Sequence, residues 1–240
     1  PVTHAAIFDG EAYDARIPMG YDTVEKLATP EVNNEFKGEI VPSAGAEIYL
    51  RHDLTLAPVK AYLWKGVEGA KEKEFGKVII TKEFASGEEM IVKPGETLVV
   101  DFGQNCAGVP SFVFKATEGT QLSCLPSELL NDGNGAESRG MDGPEGSVHR
   151  LNLRIPETGM LLDYTFGCGN DYVAYHPSHT FYGYRFVSIT ATDEVSIKSL
   201  TSIPVTSIAK EMEIGTITTG NELINKLIAN TYWGQLSNYL

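Results

Sequence analysis

Asp101-Phe102-Gly103-Gln104-Asn105 places a carboxylate and two primary amides in one short stretch at the end of an apolar run. Planar amides and carboxylates suit sugar hydroxyls, because between them they donate and accept in pairs. The simpler reading is that the same groups tie down a bulged strand end through backbone hydrogen bonds. Further along, Glu128 and Asp132 in "SELLNDGNG" could supply half of an acid/base pair. Glycosidic cleavage needs two carboxylates, about 5 to 9.5 Å apart depending on stereochemistry. No second carboxylate stands out by position, and a solvated loop with Asx-turns explains the same residues. Asn131, Asp132 and Asn134 form an oxygen-rich run, but the spacing of carboxylates and the closing bidentate Glu of a calcium loop are missing. The residues carried forward as carbohydrate contacts are therefore Asp101, Gln104, Asn105, Glu128, Asn131 and Asp132. No cofactor is expected, with Ca²⁺ kept as the one alternative.

Other chemistry is weaker. His176 and His179 flank Pro177, which interrupts the helical turn that a metal pair at that spacing would need. No metal site is expected from them. Cys106, Cys124 and Cys168 fit no zinc spacing, and an odd count cannot close a full set of disulfides. Three free, mostly buried thiols are the expectation, with a single Cys106–Cys124 bridge as the alternative in an oxidising compartment. There is no Gly-rich phosphate loop leading into a helix and no serine nucleophile elbow. On these residues alone, no catalytic assignment is made.

The elements that would carry these residues read mainly as strands. Short runs, alternating or continuously apolar, fall at 46–56, 59–64, 77–84, 88–93, 97–103, 110–117, 120–127, 149–155, 184–191 and 196–210. Gly, Pro, Asn and Asp separate them. Period two with frequent turns predicts antiparallel strands, and the lack of helical crossovers predicts a β-sandwich. Lys93-Pro94-Gly95-Glu96 and Thr117-Glu118-Gly119-Thr120 read as turns. Tyr182, Tyr184 and Phe186 alternate with Phe181, Gly183 and Arg185, so one set should face the core. Residues 128–150 are Gly-rich and poor in apolar residues after Leu130, a long loop of the kind kept for function. A short helix is expected near 23–28. A single long helix is predicted over 219–240, capped by Thr219 or Asn221, with Leu223, Ile224, Leu227, Ile228, Thr231 and Tyr232 on one face.

Composition narrows the partners. The 240 residues are 42% hydrophobic, enough for a packed core. A net charge of −13, without a basic run, argues against nucleic acid. No stretch reaches the length of apolar residues that crosses a bilayer, and "PVTHAAIFDG" has neither the basic nor the apolar region of a signal peptide. No membrane partner is expected. The missing initiator Met leads us to expect a longer gene product.

Five blocks occur in order: "GEAYDAR" (10–16), "VVDFGQNCAGVP" (99–110), "EGTQLSCLPSELLNDGNG" (118–135), "HPSHTFYGYRFVSIT" (176–190) and "GTITTGNELINKLIANTYWGQLSNYL" (215–240). Together they resemble the bacterial α-L-rhamnosidases of glycoside hydrolase family 78. The resemblance implies a mainly β fold, an antiparallel concanavalin-like or jelly-roll-like sandwich with one C-terminal helix. It implies that residues 1–50 are the tail of a preceding β domain, 51–212 the sandwich, and 213–240 a linker with the first helix of an (α/α)6 catalytic barrel. The family's catalytic carboxylates would lie in that barrel, so no catalytic position carries over. The implied function is an ancillary fragment of a glycosidase that removes terminal α-L-rhamnose with inversion, bracing the barrel of its own polypeptide. The alternative is an autonomous module that binds rhamnose-containing glycans. A periplasmic or secreted bacterial location follows from the same resemblance. So does the expectation that the helix face of Leu227, Ile228, Thr231 and Tyr232 is partly orphaned, lying on the sandwich, pairing with a second copy or disordered.

Overall fold

The computed structural model describes residues 1–18, 34–35, 37–133, 142–153, 159–169 and 171–240. The helix expected near 23–28 and Asn134 of the oxygen-rich run lie outside them. In chain order the strands are β1 (Val2–Ala6), β2 (Gly10–Asp14), β3 (Tyr49–Leu50), β4 (Lys60–Glu68), β5 (Lys77–Glu83), β6 (Met90–Val92) and β7 (Thr97–Ala116). They continue with β8 (Gln121–Ser127), β9 (Leu129–Leu130), β10 (Val148–His149), β11 (Leu161–Thr165), β12 (Val173–Tyr175), β13 (Tyr182–Ala191) and β14 (Val195–Thr206). One helix, α1 (Glu222–Asn238), follows.

The runs at 97–103 and 110–117 are one strand, β7, rather than two. Its first half pairs with β4 on one side and β13 on the other. Its second half pairs with β14 and β12. One strand thus belongs to both layers of the sandwich. Both halves feed a single core. Leu98, Val100 and Phe102 from the first half meet Phe112 and Phe114 from the second, together with Leu122, Leu162, Tyr182, Val187, Ile189 and Ile197. The odd residue Val99 points the other way, as strand pleating requires, and forms a second cluster with Tyr62 and Val78. A third cluster joins Val109, Ile203 and Val205.

The alternation around residues 181–186 holds for Tyr182 and Tyr184, both buried in the main core. It then shifts. Pairing with β7 breaks between Tyr184 and Phe186, and Val187 takes the next inward place. Other runs are shorter than their pattern suggests. In 46–56 only Tyr49–Leu50 is strand, and His52–Leu54 forms a 3₁₀ turn. Of the run 149–155, the described residues 149–153 have only His149 in a strand; the chain then turns, and Leu151 and Asn152 are exposed. Both predicted turns form, with positive φ at Gly95 and Gly119.

The block at 10–16 is wired into the sheet. β2 runs parallel to β11, which is open to it because the connection between them is long. Gly10 has φ +106°, and a Cβ there would lie 1.9 Å from the Leu161 carbonyl oxygen. Glu11 is buried, and its carboxylate accepts from Tyr175 Oη at 2.5 Å, Ser178 N at 2.9 Å and His179 N at 2.8 Å. Tyr13 stacks on Tyr164 with centroids 5.4 Å apart. Asp14 takes the Arg16 guanidinium, which holds its carboxyl down at about 2.

Two substitutions test this wiring. Gly10→Ala forces a Cβ into backbone at a left-handed φ, and Glu11→Ala strands three donors, two of them backbone N–H groups. Each should lower unfolding free energy by roughly 2–4 kcal/mol in urea titrations. A loss under about 0.5 kcal/mol, the ordinary effect of a surface change, would mean that the β1–β2 margin of the sheet is dispensable.

Candidate functional site

The polar stretch 101–105 sits where β7 bulges. Tyr184 pairs with Cys106 and Phe186 with Asp101, so residues 102–105 face Arg185 alone. Asp101 closes the bulge. Its Oδ1 accepts from Gly103 N at 2.7 Å, and the turn needs Gly103 at φ +76°. The same carboxylate takes Arg185 in a fork, Nε to Oδ1 at 2.7 Å and Nη2 to Oδ2 at 2.8 Å. This pairing with Asp101 raises the Arg185 pKa above its ordinary value. The guanidinium carbon lies 4.9 Å from the Phe186 ring centre, so the ion pair rests on an aromatic face. Gln104 turns back to donate from Nε2 to Asn105 O at 2.8 Å.

Beyond the bulge, Asn105 Nδ2 donates to Glu128 Oε1 at 3.1 Å. Asn152 Nδ2 donates to Glu128 Oε2 at 2.9 Å. A half-buried carboxylate thus stands between two exposed amides drawn from β7, the end of β8 and the turn after β10. Among the six residues picked from sequence, the structure brings Gln104, Asn105 and Glu128 to this place, with Asp101 beside them. Asn152 and Arg185 complete it. Neither is marked by local sequence: Asn152 lies in a run that reads as strand, and Arg185 in an alternating aromatic one.

Asn131 and Asp132 are placed elsewhere. Asn131 is buried, its Nδ2 within hydrogen-bonding distance of Asp142 Oδ1 (2.9 Å), Ser147 Oγ (2.9 Å) and Val148 O (3.2 Å). Its Oδ1 accepts from Asp142 N at 2.9 Å. Asp142 in turn accepts from Arg150 N at 2.7 Å and Leu151 N at 2.8 Å. Burial alone would raise the Asp142 carboxyl, but the Arg150 N–H, the Asn131 amide and the Leu151 N–H outweigh it and hold the pKa below the usual range. The Arg150 side chain is buried and donates to Pro126 O and Gly159 O. Ser127 Oγ donates to His149 O, and Tyr62 Oη donates to Gly146 O at 2.7 Å. The described part of the Gly-rich segment therefore packs over the small Val99 cluster, with Asn131 and Asp142 as its internal ties. Asp132 is exposed at the edge of this segment.

The remaining candidates resolve simply. Cys106, Cys124 and Cys168 are all free; the first two are buried and Cys168 is exposed. Burial pushes the Cys106 thiol up to about 11 and the Cys124 thiol upward as well, so neither supplies a thiolate near neutral pH. His176 Nδ1 lies 3.0 Å from Pro177 O, while the backbone N–H of His179 is the one bound to Glu11. Among the described residues no group of three or more His, Cys, Asp or Glu is arranged to hold a metal ion. No described helix is long and apolar enough to cross a membrane.

Helix α1 begins as its sequence predicts. Asn221 Oδ1 accepts from Leu223 N at 2.9 Å and Ile224 N at 3.4 Å. The helix docks by its last turns. Leu236 is its one buried residue, Ala107 N donates to Ser237 Oγ at 3.1 Å, and Ser207 N and Thr206 Oγ1 donate to Tyr239 O. Leu223 and Leu227 stay 74% and 64% exposed, so most of the apolar face is indeed left uncovered.

Residues 91–206 match the family described as bacterial alpha-L-rhamnosidase concanavalin-like domain. Over the whole chain, an alpha-L-rhamnosidase of Streptomyces avermitilis is 27% identical and one of an Alteromonas species 23% identical. The chain spans about a fifth of their length, 19% and 22% respectively. The crystal structure of the Streptomyces avermitilis alpha-L-rhamnosidase complexed with L-rhamnose superposes on all of this chain and 19% of that one, with a TM-score of 0.64 and 22% identity. That of Aspergillus terreus superposes with a TM-score of 0.60 and 21% identity, again over all of this chain and 23% of the other. At these identities the superpositions speak for the fold.

The Asp142 ties give the packed segment a signature in acid. A carboxyl whose folded pKa lies below its unfolded value contributes fully above about pH 4, and that contribution is lost as pH falls through the folded value. Urea midpoints measured from pH 6 down to pH 2.5 should therefore fall more steeply for the wild type than for Asp142→Asn. Parallel acid limbs would remove Asp142 from the anchor.

Proposed function

Because residues 91–206 match the concanavalin-like domain of the bacterial α-L-rhamnosidases, we propose that the chain is an ancillary, non-catalytic part of a glycoside hydrolase that removes terminal α-L-rhamnose with inversion. In this reading it braces the catalytic region of its own polypeptide. The match across residues 91–206 carries the proposal, since that span holds β7 through β14 and the whole candidate face. The electrostatics of the face agree with it. Both Asp101 oxygens are engaged by the Arg185 guanidinium, at 2.7 and 2.8 Å, so this carboxylate is spent on strand pairing. Glu128 accepts one amide N–H on each of its oxygens, so it too is engaged within the fold. The exposed row of Leu223, Ile224 and Leu227 supports the bracing role, because it offers apolar surface beside the sandwich.

A second reading rests on a separate observation. Asn105, Glu128 and Asn152 form a chain of planar groups at the surface, a chemistry suited to neighbouring sugar hydroxyls. Under it the sandwich would bind rhamnose-containing glycans by itself, with Ca²⁺ as a candidate aid. A periplasmic or secreted location goes with either reading.

Both are tested with the purified chain. We expect no release of nitrophenol from an aryl α-L-rhamnoside above the uncatalysed rate; enzyme-like turnover would defeat the ancillary assignment. Calorimetric titration with L-rhamnose and rhamnosyl oligosaccharides, with and without Ca²⁺, decides the second reading. Binding at millimolar sugar that Asn105→Ala and Asn152→Ala abolish would establish it, and silence at that concentration would discard it.

A further inference from the structure

Arg51 is a buried guanidinium that binding chemistry does not account for. Its side chain is only 4% exposed. Nε donates to Asp53 Oδ1 at 2.8 Å and Nη2 to Asp53 Oδ2 at 2.9 Å. Nη1 donates to Ile208 O at 2.9 Å, a carbonyl in the segment that leads from β14 to α1. Nη2 also lies 2.7 Å from Glu213 Oε1, further along that segment. The same Glu213 oxygen accepts from Tyr232 Oη, on α1, at 3.0 Å. Backbone bonds fix Arg51 itself, since its N–H donates to Pro204 O and its carbonyl accepts from Leu54 N.

The chain of contacts runs from the sandwich, through one arginine, to the connector and then to the helix. The connector needs such a tie. Met212, Ile214 and Ile217 are 60%, 95% and 71% exposed, so apolar packing does not hold it down. The helix has just one buried side chain. Apart from the local Thr219–Asn225 bonds, the other hydrogen bonds seen among the described residues that hold it to the sandwich lie at its far end, Ser237 with Ala107 and Tyr239 O with Thr206 and Ser207. Two attachments some two turns apart define an axis, whereas one end alone leaves the helix free to swing.

We propose that Arg51 is a positioning residue: acting through Glu213 and Tyr232, it sets the direction in which α1 stands off the sandwich and keeps the Leu223–Leu227 face turned outward. The guanidinium suits this task because its fork engages a carboxylate bidentately and still has donors for a carbonyl and a second carboxylate. A lysine would bring the charge without the fork. The inference stands on contacts within this chain and does not depend on which bond the parent enzyme hydrolyses.

Hydrogen exchange read by mass spectrometry on the full chain tests it. Arg51→Met should speed exchange of the α1 amides on the order of tenfold, as expected for loss of charge-assisted hydrogen bonds, while the β7 and β13 amides keep their protection. Arg51→Lys should not restore the helix. Glu213→Gln and Tyr232→Phe approach the relay from its exposed side and keep the test alive if Arg51→Met unfolds the sandwich. Each should loosen α1 alone, and the double variant should be no looser than Glu213→Gln. Wild-type protection of α1 in Glu213→Gln and Tyr232→Phe, or effects that simply add, would overturn the proposal.

Discussion

The Asp101 carboxylate holds the corner on which the sandwich turns. It closes the bulge by accepting Gly103 N and locks the opposing strand by taking Arg185 in a fork. Because residues 102–105 are looped out against a single residue of β13, β7 can leave one layer and enter the other without breaking its chain of pairings. Four strands hang on β7 as a result: β4 before the bulge, β13 on both sides of it, and β12 and β14 after it. A single strand that spans both layers makes their relative placement a matter of covalent geometry as well as packing. The aromatic contacts of Phe114 with Phe112, Tyr164 and Phe166, at 4.8 to 5.2 Å, then fill the space between the layers.

Buried charge serves attachment throughout the molecule. Glu11 ties β2 to the segment 175–179, Arg150 ties the covering segment to Pro126 and Gly159, and Arg51 ties the connector to the sandwich. In each case a charged group makes several bonds to backbone or to an opposite charge, which is the condition under which a buried charge is tolerated. Each anchor reaches an irregular stretch, around 175–179, at Gly159 or in the connector. Sheet and core settle the layers, while polar anchors settle what crosses over them.

The surface trio Asn105–Glu128–Asn152 differs from these anchors in being at the surface. It joins the β7 bulge, the end of β8 and the turn after β10 by single hydrogen bonds, and both of its asparagines are exposed. That separates it from the Asn131–Asp142 pair, whose donors and acceptors are spent inside. Two groups built from the same kinds of polar side chain therefore have different physical standing, one at the surface and one consumed by folding.

Much of the architecture was legible along the chain. Period-two runs, Pro-Gly and Glu-Gly turns and the Asn221 cap follow from local rules of pleating, φ preference and capping, so their positions hold to within a few residues. The five ordered blocks carry the resemblance to the family by themselves. The failures share a cause. The continuity of β7 through Phe102–Asn105, the early end of the strand at His149 and the parity change at Arg185 all depend on which strand lies alongside. The same holds for the site: Asp101, Gln104 and Asn105 were visible as a polar stretch, yet only folding could separate Glu128 from Asn131 and bring in Asn152 and Arg185. Residue type and spacing determine which groups can hydrogen-bond and where the backbone can bend. Tertiary structure alone decides which of those groups are used up by partners distant in sequence and which are left to face a ligand, because desolvation and pairing are properties of the packed chain.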